Sequence, residues 1–444
     1  MFVVLLMTLV FAAVALNEDV SIPTAPQVWY QQAEIHALIH FNMATFFEDG
    51  DPGCTERNWN ESSQVSSFNP KLLNTSQWAD VMVDLGAKGA ILTAKHGCGF
   101  LLWPSESKLP NGTRYPYRVD RDVLAMFQKS MEERGIGHGF YYSLTNNFFL
   151  NVRTHVAGTA AVPPLAKQVN VSQSEFESIA LQQVTELWTK YGNLSEIWFD
   201  GGYTSDMKKS LSSLLLNQPN AIGFGGDGIS ANPSDWIGTE SGSPSCPDGI
   251  WYTNGYGCGN LSVPSNYTPK TCDTTLQNGD HWFWSTNATD IRTLNELIDV
   301  YHNSVGNGCT MELDFAIDRD GLVNKVHADR YREFGNWIRK CYSSPYDATI
   351  TSHDLHDGNY VYDVTFKKPV LIDRVSIRED IRYGQRVRSF VLSSSYELTS
   401  GTSIGNRRIK LLSEAVTVNS LRLSVSAVDV PKFSQIAFFA PCDE

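Results

Sequence analysis

From about residue 30 to residue 342 the chain repeats one two-part pattern: a short, unbroken apolar run, then a longer stretch with helical spacing. The runs are IHALIHF (35–41), GAILTA (89–94), GHGFYYS (137–143), EIWFDG (196–201), AIGFGG (221–226), DWIGTE (235–240), HWFWS (281–285) and CTMELDFA (309–316). Runs that are apolar throughout, rather than at alternate positions, belong to strands covered on both faces, as in parallel sheets. The clearest helix lies at 172–191, where Ser172 and Glu175 form a capping box and Phe176, Ile179, Ala180, Val184, Leu187, Trp188 and Tyr191 make one apolar stripe. Helical patterns recur near 75–86, 120–134, 205–217, 289–304 and 325–341. Eight strands, most of them separated by helices, predict an α/β fold of the (β/α)8-barrel type.

After Cys341 the pattern changes. NYVYDVTF, VLIDRVSIRE, RVRSFVLSSS, NRRIKLLS, NSLRLSVSAV and SQIAFFA are short, largely alternating and separated by turn residues, which predicts an antiparallel β-sandwich. At the other end, FVVLLMTLVFAAVAL closes on Ala13-Val14-Ala15, the form of a secretory signal peptide with its cleavage site. The expected division is therefore a signal peptide at 1–16, a barrel at 17–344 and a sandwich at 345–444.

The signal peptide predicts a secreted, extracellular protein, with the lysosome as the alternative. An even count of eight cysteines, none in a CxxC pair, fits disulfides in an oxidising compartment and leaves their pairing open. N-x-S/T sequons at Asn60, Asn74, Asn111, Asn170, Asn193, Asn260, Asn266 and Asn287 fit a glycoprotein. The net charge is −13 and no Lys/Arg-rich run occurs, so no nucleic-acid footprint is expected. No later apolar stretch is long enough to span a membrane. The oligomeric state stays open.

In a parallel barrel the reactive side chains project from the C-terminal ends of the strands. There the chain places Asp200 in IWFDGGY, His40 in IHF, Lys95 and His96 in TAKHGCGF, Tyr141 and Tyr142, Glu240, and Trp282. Two carboxylates, two imidazoles and several aromatics at strand ends suit glycoside hydrolysis: one carboxylate attacks or stabilises the anomeric centre, the other protonates the leaving oxygen. Taken singly, each has a plainer explanation: Asp200 could cap a turn, and a lone His is more often a satisfied core residue. GFGGDG (223–228) has the spacing of a dinucleotide loop, but Pro233 and a polar stretch follow instead of a helix. His36 and His40 stand four apart on a strand and not on a helix, and no HExxH or G-x-S-x-G occurs. No metal site and no cofactor are predicted.

At these residues the chain resembles glycoside hydrolase family 29, the retaining α-L-fucosidases, over about 29–342 and on into the sandwich. WFDG resembles the family's nucleophile motif, which implies that Asp200 is the nucleophile. LIHFNMATF and LTAKHGCGFLLWPS resemble two segments whose histidines contact fucose, here His40 and His96. GFYYS implies Tyr141, GDHWFW implies Trp282 against the sugar's methyl side, and the spacing from Glu56 to Phe68-Asn69-Pro70 implies Glu56 as a contact to a fucose hydroxyl. WIGTESG resembles the acid/base segment of the branch that cleaves α-1,3- and α-1,4-linked fucose, which implies Glu240. The segment at 296–323 and IREDIRYGQRV also follow the family.

Three segments depart from it. Gly97 and Cys98 stand where the family has His and Asp, Asn42 replaces a glycine, and Met311-Glu312-Leu313-Asp314 replaces LLLN. The resemblance implies an exo-acting, retaining α-L-fucosidase working on fucosylated oligosaccharides or glycoproteins. The altered His/Asp motif keeps two alternatives open: a catalytically impaired fucose- or glycan-binding protein, and a related glycosidase such as an α-L-galactosidase.

Overall fold

Eight strands become a barrel because their inward faces fill one continuous interior. They are β1 (Ile35–His40), β2 (Gly89–Lys95), β3 (Gly137–Tyr142), β4 (Glu196–Trp198), β5 (Ile222–Phe224), β6 (Pro233–Trp236), β7 (Lys270–Thr274) and β8 (Thr310–Ala316). They pair in parallel in chain order, and β8 closes on β1 with Ile35 opposite Met311 and His40 opposite Ala316. This is a computed structural model that describes residues 20–47, 54–56, 58–59, 63–247, 249–261, 266–279, 281–286 and 290–442. The segment 1–16 and the sequons at Asn60 and Asn287 lie outside the described residues. The other six sequon asparagines are exposed, as glycan addition requires.

The strands alternate with α1 (Ala25–Ala33), α2 (Thr75–Leu85), α3 (Val123–Glu132), α4 (Gln173–Lys190), α5 (Lys208–Leu215), α6 (Leu294–Asn303) and α7 (Lys325–Tyr342). Thr24, Ser172 and Thr293 each close a capping box, which fixes where α1, α4 and α6 begin. The stripe read along 172–191 is the buried face of α4, with Phe176, Ile179, Val184, Leu187 and Trp188 in the core. Among the described residues no helix follows β5 or β6. In place of one after β6, an irregular stretch is tied by the Cys246–Cys258 disulfide and by Tyr252, whose hydroxyl donates to Gly308 O at 3.0 Å.

The expected seventh strand, HWFWS, is not one. Residues 281–286 are irregular, and the seventh strand is KTCDT, fully buried despite Lys270 and Asp273. Each polar group there has a partner: Lys270 Nζ donates to Thr253 O at 2.5 Å, and Asp273 accepts from Trp236 Nε1 at 2.7 Å. Partnered polar groups can be buried at little cost, so apolar continuity did not mark this strand. As a further consequence, Glu240 and Trp282 sit in the loops after β6 and β7 and not at strand ends.

The C-terminal sheet comprises β9 (Ala348–Asp354), β10 (Asn359–Glu379), β11 (Val387–Ser393), β12 (Glu397–Gly401), β13 (Arg408–Ala427) and β14 (Phe433–Phe439), all antiparallel. The long strands β10 and β13 shift register after Thr365 and again after Ile372. Such irregularities bend strands, and β10 pairs with β9 over its first part and with β14 over its last. The fold encloses Val364, Phe366, Ile372, Ile377, Phe390, Leu423 and Phe438. The sandwich braces the barrel from beneath: Arg407 pairs with Glu34 at 2.8 Å and donates to Tyr301 Oη at 2.6 Å, and Cys341–Cys442 ties α7 to the chain beyond β14.

Candidate active site

Side chains two apart on a strand share a face, so the inward positions stack in layers along the barrel axis. The lowest layer is polar. His36 from β1, Glu196 from β4 and Glu312 from β8 meet there, each completely buried. His36 Nδ1 lies 3.2 Å from Glu196 Oε2, while Glu312 accepts from Tyr30 Oη at 2.8 Å and from Trp198 Nε1 at 3.0 Å. Burial lowers the imidazole to about 4 and raises Glu196 to about 8, and burial together with the Glu196 charge pushes Glu312 well above the usual carboxylate range. His36 is therefore neutral and the acids retain protons. Potential ligand atoms of the three lie within 4.8 Å of one another. Both oxygens of Glu312 already accept hydrogen bonds, from Tyr30 and Trp198.

The next layer is apolar: Leu38, Ile91, Tyr141, Trp198 and Phe224 form one buried cluster. Trp198 stacks on Phe224 with ring centroids 3.8 Å apart and on Tyr141 at 5.3 Å. This layer is the floor of a cavity at the C-terminal end of the barrel. Leu38, Trp198, His40, His96, Tyr141, Asp200, Glu240, Asp273 and Trp282 line it.

The motif that carries Asp200 now has a local explanation. Glu196, Trp198 and Asp200 alternate inward, so β4 delivers a proton-bearing acid to the base, an indole to the floor and a carboxylate to the mouth. Asp200 Oδ2 accepts from Tyr141 Oη at 2.6 Å, and its backbone carbonyl accepts from Thr145 Oγ1 at 2.6 Å. Burial first, then the Asp200 charge, keep the Tyr141 phenol far above its ordinary value, so it remains a donor. Gly201 follows with φ +70°, and a Cβ there would sit 2.0 Å from Thr145 Oγ1. Only glycine lets the chain turn against that threonine. Lys95, at the end of β2, is lowered to about 7 by burial against the pull of Asp200, and its ammonium holds the loop after β3 through the carbonyls of Ser143 and Asn146, each 2.5 Å away.

His40 Nδ1 lies 2.8 Å from Asp314 Oδ1. Burial drives the imidazole well below its usual value and the carboxyl well above, so the pair is neutral. The other ring nitrogen of His40 is left for the cavity. His96 stacks on Tyr141 at 5.4 Å, and Phe283 meets both His40 and His96 edge-on. Trp282 lies 5.0 Å from the His40 ring, and its indole N–H reaches Glu240 Oε2 at 3.4 Å. The walls are thus imidazole and aromatic faces together with carboxylates.

Of the residues singled out in the sequence, His40, His96, Tyr141, Asp200, Glu240 and Trp282 share this cavity. Glu56 does not: it is exposed and is not among the lining residues. Its segment is anchored nearby, because Cys54 bonds Cys98 two residues beyond His96. Asn42 is buried and spends its amide on Thr93 O, Phe100 O and Met43 N. Sequence reasoning missed Trp198 and Asp273. The i, i+2 spacing from Asp200 could have found Trp198. Nothing marked Asp273 while KTCDT was read as a connection.

A model of the α-L-fucosidase family matches residues 20–342. The chain belongs to that family of glycoside hydrolases. It is 28% identical to α-L-fucosidase 1 of Arabidopsis thaliana, over 91% of this chain and 84% of the relative. Identity to the human plasma α-L-fucosidase is 23%, over 70% of this chain and 67% of that one. Among solved structures, a family 29 fucosidase from Ruminococcus gnavus in complex with fucose superposes with a TM-score of 0.77 at 22% identity, covering 98% of both chains. A family 29 member from a rumen bacterium gives 0.78 at 23% identity, over 96% of this chain and 79% of that chain. At these identities the two structures establish the shared architecture of this family member, barrel and sandwich alike. No helix among the described residues is long and apolar enough to cross a membrane.

Proposed function

We propose that this chain is a secreted, exo-acting, retaining α-L-fucosidase that removes terminal α-1,3- or α-1,4-linked L-fucose from glycans. The observation that carries the reading is the shared cavity of Asp200 and Glu240, walled by imidazoles and aromatic rings. Asp200 attacks the anomeric carbon with the oxygen that Tyr141 does not hold, while Glu240 protonates the departing oxygen. Glu240 then takes a proton from water, and the water releases the sugar from Asp200. This sequence requires carboxyl groups about 5 to 5.5 Å apart, with the sugar between them. His40 and His96 are placed to exchange hydrogen bonds with ring hydroxyls, and Trp282 offers an apolar face to the C6 methyl group. Burial of one deoxypyranose in this pocket, closed beneath by Trp198, favours release of single terminal residues.

The linkage preference rests on WIGTESG and on the aromatic loop after β7. Secretion rests on the N-terminal apolar run, the sequons and the four disulfides Cys54–Cys98, Cys246–Cys258, Cys272–Cys309 and Cys341–Cys442. The test is hydrolysis of linkage-defined fucosides by wild type, Asp200→Ala and Glu240→Ala. Asp200→Ala should be inactive, and azide should rescue Glu240→Ala with formation of a fucosyl azide. Wild-type rates in Asp200→Ala would overturn the assignment. Binding of fucosylated glycans without release of fucose by the wild type would favour the glycan-binding alternative.

A further inference from the structure

The cavity contains a third carboxyl group, Asp273, that this two-carboxylate mechanism does not use. It is 3% exposed, projects inward from β7, and lines the same cavity as Asp200 and Glu240. One of its oxygens accepts from Trp236 Nε1 at 2.7 Å. Trp236 is the last residue of β6, four positions before Glu240, and the loop between them returns to β7 where Ser241 bridges Thr274. The backbone next to Glu240 is thus paired with the backbone next to Asp273.

We propose that Asp273 is a positioning residue for the proton-transfer step, fixing through Trp236 the start of the loop that carries Glu240 and sharing a proton with Glu240 across the cavity. The inference rests on the reading of Glu240 as the acid/base. The ionisable groups around Asp273 are Glu240 after β6, Glu312 and Asp314 on the neighbouring β8, and Asp200, His40 and His96, which line the same cavity or pair into it. Burial first, then the Glu312 charge, push Asp273 well above the usual carboxylate range, with Glu240 adding to the rise and the Trp236 hydrogen bond opposing it. Asp273 therefore carries its proton in the resting enzyme, and Glu240 is spared a full negative charge beside it. Two acids that line one cavity and act on each other electrostatically titrate as a pair. Once the pair has lost one proton, the remaining one divides between them, and Glu240 keeps part of its acid form at pH values where alone it would be spent.

The test is the pH profile of kcat/KM on an aryl α-L-fucoside with a poor leaving group, for which protonation matters most. Asp273→Asn keeps shape, neutrality and the acceptor for Trp236, but it cannot hold a proton for Glu240. Normalised to its own plateau, its alkaline limb should move about half a pH unit or more to lower pH. Trp236→Phe removes the donor that favours the Asp273 anion, so the last proton stays on Asp273 and its alkaline limb should also move to lower pH. A purely structural role would move neither limb, and unmoved limbs in both variants would overturn the proposal. So would a dead Asp273→Asn enzyme rescued by azide, which would make Asp273 the proton donor itself. Failure of the underlying reading looks different: Glu240→Ala would keep the wild-type rate and profile whatever Asp273 does.

Discussion

The buried acids beneath the cavity make stability fall as pH rises, and Glu196→Gln tests this directly. Glu196 has an ordinary value of 4.5 and is raised to about 8 by burial. The folded chain holds this proton at pH values where the unfolded chain has released it. The contribution of Glu196 is therefore greatest below about pH 4.5, declines as pH rises, and is fully lost above about pH 8. The shift corresponds to about 5 kcal/mol at 1.36 kcal/mol per pH unit. Glu312, Asp273 and Asp314 are shifted in the same direction, and Glu379 is raised to about 7. A glutamine at 196 mimics the protonated acid: its amide donates toward Glu312 and its carbonyl remains beside His36. Urea midpoints at pH 5 and pH 8 should drop steeply in wild type and much less in Glu196→Gln, with the variant the more stable of the two at pH 8. A wild-type midpoint that rises between these pH values, or an identical slope in the variant, would refute the reasoning.

Two substitutions probe the turn that presents the proposed nucleophile. Gly201→Ala forces an L-residue to φ +70° and drives its Cβ into Thr145 Oγ1. It should cost about 1–3 kcal/mol of stability and lower kcat more than KM, read by thermal melts and initial rates on an aryl fucoside. Tyr141→Phe keeps the ring stacked between His96 and Trp198 but deletes the 2.6 Å bond to Asp200. A hydrogen bond to a charged group contributes about 1.5–3 kcal/mol, so kcat/KM should fall between about tenfold and a hundredfold with little change in the melting temperature.

The barrel was legible wherever a strand is apolar on both faces. β1, β2, β3 and β8 match their runs to within a residue or so, because nearly all their positions are buried. β7 was not legible, because Lys270 and Asp273 are inside for reasons of partnership that no hydrophobic pattern records. HWFWS drew the wrong assignment because aromatic residues favour strands, whereas here Trp282 lines a cavity from a loop and Phe283 packs against His40 and His96. In the sandwich, pairs of expected short strands proved to be single bent ones: a Lys367-Lys368-Pro369 break reads as a turn, yet β10 runs through it with a register shift. α1 was missed because nine residues make little periodicity, although the Thr24–Gln27 capping box was present. Six of the seven nominated site residues reach the same cavity: His40, His96, Tyr141 and Asp200 because strand ends are a strong constraint in this architecture, Glu240 and Trp282 from the loops after β6 and β7. Glu56 was nominated from spacing in a segment where no strand fixes direction, and it lies outside.

The central claim is a covalent intermediate on Asp200 flanked by an acid that becomes a base. The most direct measurement is to trap wild-type enzyme with a 2-deoxy-2-fluoro-fucosyl donor and map the labelled peptide by mass spectrometry, following the first-formed anomer of untrapped turnover by NMR. The expected result is one fucosyl adduct on Asp200 and α-L-fucose as the initial product. An adduct on Asp273 or Glu240, or β-L-fucose appearing first, would contradict it.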